Sequence, residues 1–300
     1  MPNSMFWNKS KSKRTWKELL KGEAPIQLPA AHDALTARLI ERAGFVGYQI
    51  GGFALVGARH ALPDIDLTRF AEQSAGVRDI IAACSLPVLV DADDGYGDVK
   101  NVTHTVQSYE AMGVSAIFLE DQVSPKRCGH MSGKRVIAPE TMEERIRAAA
   151  AARQSNDFFL IARTDAREPE GLASALRRAE RYVKAGADGI YVEAPKSVKE
   201  LEEIGKSLSG VPQMTNMFEG DNETPWLTPR ELGKLGFSMI LYPTTLLFQV
   251  VRCLEEALKN LQAGKEAPAK ARVDMKQYEE IVGLPYWAEI ENRFQHGQQQ

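Results

Sequence analysis

Eight short apolar runs, each followed by a longer amphipathic stretch, constrain this 300-residue chain more than any other feature. They are IQLPAAH (26–32), VGYQIGG (46–52), PVLVDAD (87–93), AIFLEDQ (116–122), FFLIARTD (158–165), GIYVEAP (189–195), VPQMTNMF (211–218) and FSMILYP (237–243). Each is close to continuously apolar, which is how strands covered on both faces of a parallel sheet read. The stretches between them read as helices. TMEERIRAAAAARQ and LASALRRAERYVKAG carry charge on one face and apolar residues on the other. AMGVSA, KAGADG and KLGFSM repeat one junction, a helix that stops at Gly before the next strand starts.

Eight such units in about 250 residues predict an α/β fold of the (β/α)8 TIM-barrel type. A doubly wound open sheet is the runner-up, but no G-x-G-x-x-G follows the first strand. Three segments are expected: a basic arm over 1–20, the barrel over 21–262, and a helical segment over 263–300. Tyr278, Tyr286, Trp287 and Phe294 are many aromatics for a free tail, so the last segment is expected to pack on the barrel or on a second subunit. A formal net charge of −3 gives no basic excess for nucleic acid and no single-sign field for a membrane surface. The amino-terminal stretch has no apolar h-region, and no apolar run is long enough for a membrane span. Cys84, Cys128 and Cys253 lie far apart without metal spacing, which suits a reducing cytoplasm.

A barrel places its chemistry at the carboxyl ends of its strands, and here those ends are polar at strand after strand. They bring His32 and Asp33, Tyr48 with Gly51 and Gly52, Asp91 with Asp93 and Asp94, Glu120 and Asp121, Arg163 with Asp165, Glu193, Asn216 and Tyr242. Asp91 and Asp93 are two apart, so on a strand both would point to one face and repel unless a cation lay between them. With Glu120 they suggest an all-oxygen site for Mg2+, or Mn2+ in its place. Downstream, Cys128 lies among Lys126, Arg127 and His130, with Gly129 and Gly133 beside it. Those cations are expected to lower the thiol pKa, and the glycines to let the loop close. The thiol could serve as a nucleophile paired with histidine, or as a proton donor to a carbanion; beside an acidic metal site the second fits better. Arg163 offers a bidentate fork for a carboxylate, with backbone amides near Gly51 and Gly52 to help.

These residues resemble the isocitrate lyase/phosphoenolpyruvate mutase superfamily over roughly residues 20 to 290. The resemblance rests on GYQIGG, LPD (62–64), VDADDGYG, IFLEDQVSPKRCGH, IARTDA, YVEAP, and NMFEGDNETPWLTPRELGKLGF followed by LYP. It implies a barrel with a swapped final helix, a homotetramer built from dimers, and Mg2+. It also implies that Asp91 ligates the metal directly, with Asp64, Asp93 and Glu120 holding it largely through water. Tyr48, Gly51, Gly52, Gly129, Arg163, Glu193 and Asn216 would line the substrate pocket, with Lys126 and His130 assisting Cys128. The thiol of KRCGH points to the lyase branch, among enzymes resembling 2-methylisocitrate lyase, 2,3-dimethylmalate lyase and oxaloacetate hydrolase.

Two departures bear on the substrate. Ile50 stands where Tyr-x-Ser-Gly would place a hydroxyl, and MSGKRVI lacks the arginine expected for a third carboxylate. Within the expected class of di- or tricarboxylate substrates, both favour a smaller or less charged one, such as an alkylmalate. The expected reaction is a retro-Claisen cleavage of a 2-hydroxy acid, with Tyr48 as base and Cys128 as acid. Oxaloacetate hydrolysis or decarboxylation, phosphonate chemistry, and a redox-sensing thiol are the rivals.

Overall fold

A computed structural model describes residues 14–219 and 224–295. All eight expected strands form: β1 Ile26–Pro29, β2 Tyr48–Ile50, β3 Val88–Asp91, β4 Ala116–Glu120, β5 Phe159–Thr164, β6 Gly189–Val192, β7 Gln213–Asn216 and β8 Phe237–Tyr242. Neighbours pair in parallel in the order β1-β8-β7-β6-β5-β4-β3-β2, and an Ala30–Gln49 bridge brings the two ends together. The result is a nearly closed barrel with helices between its strands.

Two apolar clusters follow from the pleat. Leu28, Leu89, Phe118, Ile161, Tyr191, Met214, Met239 and Leu241 fill the barrel interior. Tyr48, Ile50, Val88, Val90, Ile117, Leu119, Leu160 and Ile190 face outward against the helices. Successive side chains on a strand point to opposite faces, so the inner parity continues upward from Leu89 to Asp91, Phe118 to Glu120, Ile161 to Arg163 and Met214 to Asn216. This continuation is what gathers the charged residues at one end of the barrel.

The expected arm boundary at residue 20 differs from the structure. Trp16 is fully buried in the interior cluster beside Ile26 and Met239, in a helix capped by Thr15 and Glu18. The rest of the arm, 1–13, lies outside the described residues. The carboxyl-terminal segment forms the helices Thr245–Gln262, Met275–Val282 and Leu284–Gln295. Arg38 donates to Ile281 O and Arg42 pairs with Glu280, which ties this segment to the helix Ala34–Arg42. Trp287 and Phe294 remain exposed. Among the described residues no helix is long and apolar enough to cross a membrane.

Candidate active site

The site opens at the carboxyl ends of the strands as a narrow cleft. Gln49, Gly51, Gly52, Asp64, Asp91, Cys128, Gly129, His130, Arg163, Glu193 and Asn216 all line it. Most of the residues expected from the sequence are therefore brought to one place.

Asp91 ends β3 on the inner face. Its two oxygens accept from Gly52 N (3.1 Å) and Asp93 N (3.0 Å). Gly52 thus gives its amide to Asp91, so it does not serve as the substrate donor expected of it. Asp93 does not alternate with Asp91 along a strand, as expected; the strand ends at Asp91, and Asp93 turns back in the left-handed region with φ 48°. Asp93 still joins the acidic cluster, because Lys126 Nζ lies 2.6 Å from Asp93 Oδ1 and 2.6 Å from Asp64 Oδ1. Glu120 adds a buried oxygen, Oε1, without a hydrogen-bond partner, while Oε2 lies 3.3 Å from Arg163.

Burial raises the Asp91, Asp93 and Glu120 pKa values, against the pull of Lys126 and Arg163, and Asp93 reaches about 7. Four acids facing two cations, with an unpartnered carboxylate oxygen, form a donor set that fits a hard divalent ion. Among the described residues, no three His, Cys, Asp or Glu side chains converge closely enough to hold an ion by themselves. An ion held here would have to take most of its ligands from water, which is how Mg2+ is commonly bound.

Arg163 is clamped by Asp165, with Nε and Nη2 each 3.0 Å from a carboxylate oxygen. Asp165 N donates in turn to Asp121 Oδ1 (2.9 Å), and Asp121 also accepts from Thr164 and Tyr182 hydroxyls. The Arg163 guanidinium lies over the rings of Phe118 and Tyr191. Burial pushes the Glu193 carboxyl up, but Arg163 and a hydrogen bond from His130 outweigh it and hold the group below the usual carboxylate range. His130 Nε2 lies 2.9 Å from Asn216 Nδ2 and 3.2 Å from Glu193 Oε1, with its ring stacked on Phe218.

Three sequence expectations are corrected here. First, Tyr48 is not in the cleft. It points outward into the helical layer, beside the Cys84 thiol, and burial raises its pKa far above 10.0. A phenol on that side cannot act as the base. Second, Ile50 shares that outward parity, so its missing hydroxyl says nothing about the substrate. Gln49 and Gly51 face the cleft in their place, and Gln49 donates to Leu28 O (3.3 Å). Third, the Cys128 thiol pKa is raised to about 12, not lowered, by burial first and by Asp64 second. The expected cations are engaged elsewhere: Lys126 with the acids, His130 with Asn216 and Glu193, and Arg127 near Ser132 O at 3.5 Å.

The sequence reading placed Asp165 at a strand end without giving it a role, and it missed Gln49 and the aromatic residues Phe53, Phe118, Tyr191 and Phe218 that line the cleft. The role of Asp165 was findable, since Arg163 and Asp165 are two apart on one face. The aromatics on strands were findable by carrying the inner parity downward from the strand-end charges.

The family model described as phosphoenolpyruvate phosphomutase matches residues 16–262. The chain is 36% identical over 284 residues to 2,3-dimethylmalate lyase of Eubacterium barkeri, covering 94% of this chain and 97% of that one. It is 37% identical over 264 residues to 2-methylisocitrate lyase of Halalkalibacterium halodurans, covering 84% and 86%. A solved structure of oxaloacetate acetylhydrolase with the inhibitor 3,3-difluorooxalacetate superposes with a TM-score of 0.87 at 29% identity, covering 92% of this chain and 94% of that one. With its strand-end acids, its loop thiol and these matches in hand, the chain belongs to the phosphoenolpyruvate mutase/isocitrate lyase superfamily, as an enzyme of its lyase branch.

Proposed function

We propose that this chain cleaves a carbon–carbon bond in a 2-hydroxy dicarboxylate, releasing a 2-oxo acid and a second carboxylate. An alkylmalate such as 2,3-dimethylmalate is the preferred substrate class, with 2-methylisocitrate the larger alternative. The observation that carries the reading is the Cys128 thiol, held protonated by burial and by Asp64 in the wall of a cleft that also presents Arg163. A neutral thiol there is a proton donor.

Asp91, with Asp64, Asp93 and Glu120 around it, would hold Mg2+ or Mn2+. That ion would supply a Lewis acid for the hydroxyl and its neighbouring carboxylate. Gly52 N and Asp93 N fix the Asp91 carboxylate in place, so its orientation is set before substrate arrives. Arg163, held by Asp165, neutralises charge on the departing enediolate. With Tyr48 turned away, the carboxylates of that wall accept the hydroxyl proton. As the C–C bond breaks, its electron pair goes to the departing fragment, and Cys128 Sγ–H protonates the carbon that receives it. Phe53, Phe118 and Phe218 keep that carbon away from bulk water.

A pyruvate- and glyoxylate-release screen tests this over dimethylmalate isomers, 2-methylisocitrate, isocitrate and oxaloacetate, with and without Mg2+. Metal-dependent pyruvate release from a dimethylmalate supports the reading. Oxalate plus acetate from oxaloacetate, with no turnover of any malate, would replace it with the hydrolase reading that the oxaloacetate acetylhydrolase similarity favours.

The same reading extends to assembly as a homotetramer of helix-swapped dimers. The helix Thr245–Gln262 has no buried residue, and Val251, Leu254, Leu258 and Leu261 stand exposed along it. An apolar face of that length suits a second copy. Light scattering on the purified chain tests it, and a monomer would overturn it. All three cysteines are free, as suits the cytoplasm.

A further inference from the structure

Lys134 does not line the cleft, yet its side chain is buried, with 2% exposed. Its ammonium donates to Gly129 O across the loop that carries Cys128. The same ammonium lies 3.4 Å from Asp165 Oδ1 and 3.6 Å from Glu168 Oε2. Beside it, Gly133 N donates to Glu168 Oε1 at 3.0 Å. One cation therefore joins the Cys128–His130 turn to acids just past β5, and one of those acids is the clamp on Arg163.

The opposite edge of the loop is held differently. Cys128 N donates to Asp64 O (3.0 Å), and Ser124 Oγ and Lys126 N donate to Asp66 Oδ2 (2.8 and 3.2 Å). Those bonds anchor the leading arm of the loop. Lys134 is the lysine that ties the returning arm to the barrel. Removing a buried cation from between two carboxylates and a carbonyl leaves all three with fewer partners, so the closed arrangement loses stability relative to an open one.

We propose that Lys134 is a positioning residue whose ammonium latches the Cys128 loop shut against Asp165 and Glu168, and so sets the fraction of molecules with the thiol seated over the cleft. This rests on Cys128 acting as the proton donor, but loop closure itself can be read without any substrate.

The test is peptide-resolved alkylation by iodoacetamide of the full chain, without substrate, on wild type, Lys134→Met, Lys134→Arg and Glu168→Gln. Lys134→Met should raise the Cys128 alkylation rate at least about tenfold by enlarging the open population. Cys253, on the helix Thr245–Gln262 and away from the loop, should be unchanged as the internal reference. Lys134→Arg should restore most of the protection. Glu168→Gln keeps the lysine and weakens its anchor, so it should give a smaller rise in the same direction; it carries the test if Lys134→Met does not fold. With the substrate found by the screen, Lys134→Met should lower kcat with little change in KM. Unchanged Cys128 alkylation in both Lys134→Met and Glu168→Gln would overturn the latch, whatever the activity. Raised alkylation with no lyase activity in wild type would keep the latch and remove the proposed reaction.

Discussion

A methyl group placed on Gly129 would lie 2.6 Å from Glu193 Oε1, and it would meet the Arg163 guanidinium as well. The loop glycine and the strand-end carboxylate are in contact because the loop is closed onto the cleft. Neither Arg163 nor Glu193 can move aside cheaply, since Asp165 holds the first and His130 and Asn216 meet the second. Gly129→Ala should therefore fold normally, hold the loop open, and lose on the order of a hundredfold or more in kcat. Steady-state kinetics alongside circular dichroism checks this; wild-type turnover would show that the closed contact is not needed.

Cys128→Ser should cost several orders of magnitude in turnover while leaving Mg2+ and product binding in place, because a serine hydroxyl is a far weaker acid than a thiol. Calorimetry on the variant separates the two. Turnover near that of wild type would remove the acid role.

The thiol's titration gives a separate check in metal-free protein. Its pKa of about 12 lies above the ordinary 9.0, so the folded state holds the proton more tightly than the unfolded one. That contribution to stability is whole below pH 9 and is lost as pH rises through about 12. Between pH 7 and 10 the Cys128 thiolate is scarce, and alkylation of Cys128 should climb about tenfold per pH unit without levelling. A plateau below pH 9 would contradict the raised value.

Tyr48→Phe should keep kcat within about twofold, because the hydroxyl lies in the helical layer beside Cys84 and not in the cleft. A loss of a hundredfold would restore the phenol to the chemistry and require the strand to present its other face.

Lys126→Met should make the fold depend on metal. The ammonium is the buried partner of Asp64 and Asp93, and leaving such acids unpaired typically costs about 3–5 kcal/mol. A thermal melt without metal should show a clearly lowered Tm, and Mg2+ should raise Tm more in the variant than in wild type. Equal metal-induced shifts would place the ion away from this cluster.

Much of the architecture was legible in the residues. Each apolar run became a strand, and the helix Leu172–Lys184 ended within two residues of the stretch that foretold it. Strand-end polarity located the cleft, and Asp91, Cys128, Arg163, Glu193 and Asn216 all line it. The errors cluster where the outcome depended on direction or distance. Tyr48 and Ile50 were placed in the cleft by their positions in the family motif, whereas the pleat turns them outward and presents Gln49. A one-residue difference in frame exchanges the two faces of a strand completely. Lys126, Arg127 and His130 surround Cys128 in sequence, yet each engages other groups.

The sequence by itself determined the eight-fold alternation, the ring of charges and the presence of a thiol in a glycine-bearing loop, because these follow from hydrophobic periodicity and residue type. Only the tertiary structure decided which face of β2 looks inward, that Lys126 sits among the acids, and that burial pushes the Cys128 thiol pKa up. Desolvation and Coulomb energies depend on burial and on distances through space, and neighbours along the chain fix neither.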